Sequence, residues 1–184
     1  MKKNTLILFF TFITLNISGQ TKFYSETKTF HESGYTYQCD VSNADMITLY
    51  NKENRWTYQS PAYKDSGEIY IAPEDGFYPL LMENEQNSQM DNKCIDIARK
   101  HFSVEQKQSC KGRHSLLIYR HLNPDTGRIE GVDFIFFKRS NFTTIPISVF
   151  CQIELELKRE IKYDITDRGK KLNFIFYWFE IKFD

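Results

Sequence analysis

The chain has 184 residues, of which 41% are hydrophobic and 16% aromatic, and its 24 basic and 24 acidic side chains give a formal net charge of zero. This composition suffices for one buried core and differs from that of a disordered chain. The balanced charge argues against the strongly basic surface of proteins that bind nucleic acid or anionic membranes.

Residues 1–19 have the three-part pattern of a secretory signal peptide. Lys2 and Lys3 precede an apolar run over residues 5–15, and residues 16–19 supply small or polar side chains at Asn16, Ser18 and Gly19 for a cleavage site. The run is too short and wrongly flanked for a transmembrane helix, and no later run reaches the length that spans a membrane. The sequence predicts an exported soluble protein, periplasmic or secreted, with no stable membrane insertion.

Four cysteines follow the predicted signal peptide: Cys39, Cys94, Cys110 and Cys151. An even number in an oxidising compartment predicts two disulfides, with three connectivities open. The pair Cys94 and Cys110 closes the shortest loop and is favoured, while Cys151 as a buried free thiol is the alternative. Neither C-x-x-C nor H-x-x-x-H spacing occurs, so we expect no metal site and no cofactor.

Residues 20–87 are predicted to form a β-rich region. Aromatic and branched residues surround a hairpin signal at residues 32–34, and a strand is predicted at 46–50. Residues 55–58 are predicted to return as a further strand, and residues 68–71 to form a short one. The polar stretch 83–92 is predicted to be a linker.

Residues 88–184 are predicted to follow the order α-β-β-α-β. Met90, Cys94, Ala98 and Phe102 recur at helical spacing, with Ser88 or Asp91 as the predicted cap. Two strands at 115–122 and 128–137 are joined by a tight turn over residues 123–127, which contains Pro and Gly.

The remaining elements of this region are a second helix and a long last strand. Thr143 or Thr144 is expected to cap the helix, with Pro146 in its first turn. Helix is favoured over strand for 147–162, although residues 153–158 also alternate as a strand does. A strand is predicted over 172–183. The fold class expected is α+β, an antiparallel sheet with helices on one face, and residues 20–87 and 88–184 should pack as one compact domain.

The element order of residues 88–184 resembles that of the C-terminal domain of TonB-type energy-transducing proteins. Those proteins have a membrane anchor and a Pro-rich spacer, which this chain lacks, so the resemblance implies the element order and not the energy-transducing role. The signal peptide and the Tyr-rich body are similar to those of uncharacterised secreted families from gut-type Gram-negative bacteria. That resemblance implies an exported protein containing a domain of unknown function.

Aromatic residues of the N-terminal region are the first candidate for a binding site. Tyr35, Tyr37, Trp56 and Tyr58 lie in predicted strands, where a flat aromatic face could hold a sugar or a peptide. The alternative is that these rings form the core of half a sheet.

Catalytic candidates are fewer. His121 stands at a strand end, and Asp164 and Asp167 lie close together in one loop, where paired carboxylates could act as acid and base. Ordinary turn and surface roles are the favoured interpretation, and no known catalytic motif occurs.

The last strand, residues 172–183, is apolar on both faces. It is therefore either central and covered on both sides, or an edge that pairs with another chain and makes a homodimer. The function predicted is that of a non-enzymatic binding module for a peptide, an envelope protein or a glycan. The alternative is a small secreted hydrolase that uses His121 or the pair Asp164 and Asp167.

Overall fold

The structure, a computed structural model, describes residues 22–72, 80–112 and 114–184. The predicted signal peptide lies outside these residues. The strands are β1 (Lys28–Glu32), β2 (Tyr35–Val41), β3 (Met46–Asn51), β4 (Leu116–Leu122), β5 (Ile129–Phe137) and β6 (Ile175–Ile181). The helices are α1 (Glu85–Lys100), α2 (Val104–Ser109) and α3 (Ile147–Glu160), with short 3-10 turns at Asn141–Thr144 and Gly169–Lys171.

The six strands form one antiparallel sheet in the order β1-β2-β3-β5-β4-β6. The pairing of β3 with β5 joins the N-terminal region to the C-terminal region, with Leu49 opposite Phe134. Both predicted hairpins are present, and positive φ angles at Ser33 and Gly34 make the first tight turn. The predicted α+β class is confirmed.

Both long helices pack on the same face of the sheet. Phe150 of α3 contacts Phe134 of β5 with ring centroids 5.0 Å apart, and Cys94 of α1 lies 3.3 Å from the guanidinium of Arg120 on β4. Helix α3 confirms the helical interpretation of residues 147–160, because it buries Phe150, Ile153 and Leu157 against this face.

The helix starts differ from those predicted. Helix α1 begins at Glu85 inside the predicted linker, since Asn84 caps it by accepting a hydrogen bond from the Asn87 amide at 2.8 Å. Ser88 and Asp91 therefore lie within the helix and do not cap it. Thr143 and Thr144 do not cap α3 either, because their hydroxyls donate to the carbonyls of Ser140 and Asn141. Pro146 is the residue before α3.

Three predicted strands are also corrected. Residues 55–58 form a turn, and residues 68–71 contribute only the single bridge of Ile69 to Ala62. The last strand is shorter than 172–183, because residues before β6 turn away to pair with the N-terminal region, where Leu172 bridges Tyr63.

The structure does not show the predicted disulfides: all four cysteines are buried free thiols. Cys39 lies on β2, Cys94 on α1 and Cys151 on α3, and Cys110 follows α2. Each thiol fills a different part of the core, so close spacing in sequence did not bring Cys94 and Cys110 together as a bonded pair. In the described part of the chain, no helix has the length and apolarity needed to cross a membrane.

Candidate functional site

The sheet has a second face that the helices do not cover, here called the open face. Side chains alternate between the two faces of a strand, so the neighbours of the core residues Phe134 and Arg120 point to this side. The register places them in rows across the strands: Tyr50, Asp133, Tyr119 and Trp178 in one, Thr48, Ile135, Leu117 and Glu180 in the next, and Met46 beside Phe137 in a third.

Seven uncharged side chains on this face form what we call the aromatic patch: Met46, Leu117, Tyr119, Ile135, Phe137, Phe176 and Trp178. Four of its members are exposed, Trp178 at 55%, Phe176 at 43%, Phe137 at 39% and Met46 at 38%, and the other three are half-buried. The rings of Tyr119 and Phe176 lie 6.0 Å apart. The patch bridges β3 to β6 and is therefore held on a rigid, hydrogen-bonded surface.

A buried polar cluster lies next to the patch, at the end of the open face nearest the loop after β3. Asp133 of β5 accepts hydrogen bonds from Asn54 Nδ2 at 2.7 Å, Thr57 Oγ1 at 2.8 Å and His121 Nε2 at 2.9 Å. All four side chains are buried. Three donors around one carboxylate compensate the cost of burying its charge.

Gly131 makes room for this cluster. A Cβ atom at position 131 would lie 2.0 Å from Asn54 Oδ1, so only glycine lets the Asn54 side chain lie directly against the main chain of β5. Trp56 then covers the cluster, with its ring stacked on Phe174 at a centroid distance of 4.5 Å and the Phe174 ring 5.6 Å from His121. The loop after β3 is thus attached to the sheet by side chains.

The four predicted binding aromatics are divided between the two faces of the sheet. Tyr35 and Tyr37 are on the helix side, where Tyr35 packs against the core and Tyr37 is fully buried. The Tyr37 hydroxyl donates to Glu154 Oε2 at 2.5 Å, and burial together with the Glu154 charge raises its pKa. Trp56 is half-buried over the polar cluster, and Tyr58 is exposed beside the open face.

Tyr58 belongs to a polar margin of the open face. Its hydroxyl and that of Tyr50 both donate to Asp40 Oδ2 at 3.0 Å. Burial, reinforced by the bond to Asp40, raises the pKa of Tyr50, so the Tyr50 phenol stays a protonated donor at neutral pH. The Asp40 carboxylate is thereby fixed at the side of the patch opposite Glu180.

The predicted catalytic residues do not form one site. His121 is only 4% exposed and its Nε2 is engaged with Asp133. Asp164 accepts hydrogen bonds from Asn84 and Gln86, and Asp167 is fully exposed beside Lys170. Both carboxylates line a groove of about 780 Å³ to which His121 does not contribute.

The sequence interpretation missed Asp133 and Gly131. Asp133 is a single carboxylate within the apolar strand β5, and Gly131 interrupts the same strand. A carboxylate in a buried strand implies donors around it, and a glycine in a strand interior often marks the close approach of another segment. Together these two signals could have indicated the cluster, although not that Asn54 and Thr57 supply the donors. In the described residues no three His, Cys, Asp or Glu side chains are grouped as metal ligands would be.

Comparisons with known proteins agree with the fold and identify the family. A search of curated proteins gives no match. The structure is similar to the crystal structure of a DUF5043 family protein from Bacteroides uniformis, with 34% sequence identity and a TM-score of 0.78 over 88% of this chain and 94% of that one. The family model for DUF5043, a domain of unknown function, matches residues 20–179. The chain therefore belongs to the DUF5043 family.

Proposed function

We propose that the protein is an exported, non-enzymatic binding module that docks a protein partner on its open face. The observation that carries this proposal is the aromatic patch, a continuous apolar surface on a rigid sheet. Export is supported by the signal-like pattern of residues 1–19 and by the start of the family match at residue 20, directly after it.

The composition of the patch is that of a protein–protein interface. Trp, Tyr, Phe and Met are enriched in the buried centre of such interfaces, and charged residues are depleted there. Here Trp178, Phe137 and Met46 are exposed, while the charged groups Asp40 and Glu180 lie at opposite margins. An exposed apolar surface with a polar rim marks a site of association.

The position of β6 favours a partner that also pairs with the sheet. Among the described strands, β6 has β4 on one side and no strand on the other. An extended segment could add to this edge by main-chain hydrogen bonds while its side chains contact Trp178 and Phe176. A second copy of the chain could pair in the same way, and the experiment below distinguishes that partner by its mass.

A glycan fits the open face less well than a protein does. A sugar ring would stack on Trp178 and Tyr119 and would need hydrogen-bonding groups around them. The patch instead continues to Ile135, Phe137 and Met46, which offer no such groups. Hydrolysis is favoured less still, because His121 is buried against Asp133 and does not reach the groove lined by Asp164 and Asp167. Asp164 in that groove already accepts hydrogen bonds from Asn84 and Gln86.

The test is site-specific photo-crosslinking in cells that produce the protein naturally. A benzophenone amino acid replaces Phe137 or Trp178, and, as the matched control, Asp96 on the exposed side of α1. We expect a discrete protein adduct from both open-face positions and none from position 96. An adduct of twice the chain mass would identify the partner as a second copy. Absence of a protein adduct, or equal adducts at all three positions, would refute the proposal.

A second variant tests whether the patch acts as one surface. With the crosslinker at position 178, Phe137→Ser should reduce the adduct several-fold, because it removes apolar contact area from the far end of the same interface. Asp96→Ser in the same background should leave the adduct unchanged. A glycan held only near Trp178 would be insensitive to Phe137→Ser.

A further inference from the structure

A groove of about 510 Å³ lies where the end of α1, the helix α2 and the segment after β6 meet. Four basic side chains line it: Arg99, Lys107, Lys111 and Lys182. Val104, which is 77% exposed, and Phe183 provide its apolar part. This groove is separate from the aromatic patch and shares no residue with it.

The basic groups of the groove lack acidic partners. Among the described residues, none of the four forms an ion pair with a carboxylate. Arg99 donates instead to the main-chain carbonyl of Lys182 at 3.3 Å. The neighbouring Lys100, by contrast, is paired with Glu156. Of the described lining residues, Asp184 alone is acidic.

This concentration of positive charge is notable in a chain whose formal net charge is zero. Basic residues in the last turn of a helix interact favourably with its dipole, which accounts for Arg99 and Lys107. It does not account for Lys111 or Lys182, which lie outside the helices. Like charges around one concave surface raise its positive potential and attract anions.

We propose that this groove binds an acidic polypeptide segment in which carboxylates flank an apolar side chain. The four cations stand on separate elements around the groove, so they match several carboxylates along a chain better than one compact anion. Val104, which is 77% exposed, lines the same groove and can contact the apolar side chain. A lipid bilayer would not enter a concave site, and Phe183, at 8% exposure, presents no ring face on which a sugar could stack.

Fluorescence anisotropy tests the proposal with the chain from residue 20 onward. The probe is a fluorescein-labelled peptide that repeats Glu-Leu-Glu-Gly, compared with the same peptide carrying Lys in place of Glu. We expect the acidic peptide to bind at least about tenfold more tightly and its affinity to fall as salt is raised, since exposed charges are screened.

Charge reversal locates the site. Lys107→Glu combined with Lys111→Glu should weaken binding of the acidic peptide by about tenfold or more. The control combines Lys22→Glu with Lys52→Glu, which are two exposed lysines outside the groove, and should change the affinity by less than about twofold. Val104→Ser should weaken it several-fold through loss of the apolar contact. All these side chains lie at the surface, and matching circular dichroism and melting curves verify the fold.

Three results would overturn the proposal: no binding of the acidic peptide, equal binding by the groove variant, or tighter binding of heparin or phosphatidylglycerol vesicles than of the peptide. Crosslinking at Phe137 and Trp178 reports on the open face alone. If the groove does not bind the acidic peptide, the crosslinked adducts are still expected. If the open face gives no adduct, binding of the peptide in the anisotropy experiment is still expected.

Discussion

At the scale of single residues, the loop after β3 depends on one glycine and one carboxylate. Gly131 leaves space for the Asn54 side chain, and Asp133 holds Asn54 and Thr57 by hydrogen bonds. These bonds replace the strand pairing that alternation predicts for residues 55–58. Alternation within residues 55–58 could not reveal these bonds, because the acceptor Asp133 lies on β5, 79 positions after Asn54.

We expect Gly131→Ala to destabilise the protein by about 2 kcal/mol, because the new methyl group expels Asn54 and costs Asp133 a buried charge-assisted hydrogen bond. Asn54→Ala should cost a similar amount. Since both changes remove the same bond, the double variant should cost little more than either single one, and urea denaturation gives the coupling from the double-mutant cycle. Glu53→Ala, an exposed change beside Asn54 that removes no ion pair of the described residues, serves as the control. Additive losses would show that Gly131 and Asn54 act independently.

At the scale of secondary-structure elements, the sequence predicts what depends on local pattern. Both hairpins and the body of both long helices follow from turn residues and from apolar periodicity. Local pattern did not predict the start of α1, because the polar residue Asn87 is buried there by hydrogen bonds to the main chain of Asp164, which is far away in sequence. The edge position of β6 likewise depends on strand pairing, which alternation along one strand does not determine.

Glu156 provides a test of how α1 and α3 are held together. Its carboxylate on α3 is paired with Lys100 and with His101 Nε2 at 2.7 Å at the end of α1, and Arg159 lies 3.7 Å away. The hydrogen bond from Lys100 is the main cause that lowers the pKa of Glu156 below its ordinary value of 4.5, against the opposing effect of desolvation. Because Lys100 is largely exposed, we expect Glu156→Gln to cost only about 0.5–1 kcal/mol at pH 7.

The pH dependence of this loss has a definite sign. A carboxyl whose pKa is lower in the folded state stabilises the fold above its unfolded pKa, and this contribution disappears as the pH falls through the folded pKa. The difference in unfolding free energy between wild type and Glu156→Gln should therefore be fully present above the ordinary pKa of 4.5 and should be lost progressively as the pH falls below 4.5 and through the lower pKa of the folded state. Glu26→Gln, an exposed change that removes no ion pair of the described residues, is the control, and its difference in unfolding free energy from wild type should stay near zero at neutral pH. A difference that grows in acid would contradict the assignment.

At the scale of the whole molecule, one sheet unites strands from both predicted regions. The open face exists only because β3 pairs with β5, so Met46 and Phe137 become neighbours although they are far apart in sequence. The sequence predicts an aromatic binding surface, yet two of its four predicted residues, Tyr35 and Tyr37, lie on the side of the sheet that the helices cover. Which aromatic rings are exposed is decided by strand order and by where the helices pack, and neither is encoded in a local pattern.

The cysteines give the last prediction at this scale. Burial raises the pKa of all four thiols, that of Cys39 to about 11, so each stays protonated and unreactive at neutral pH. A protein exported into an oxidising compartment could keep such thiols free only while it remains folded. We therefore expect the unreduced mature protein to have the mass of four free thiols, and Ellman's reagent to react with them only after unfolding in urea. Dithiothreitol should leave the melting temperature unchanged. A mass lower by about 2 or 4 Da, from one or two disulfides, would instead show that the folded chain brings cysteines into bonding contact.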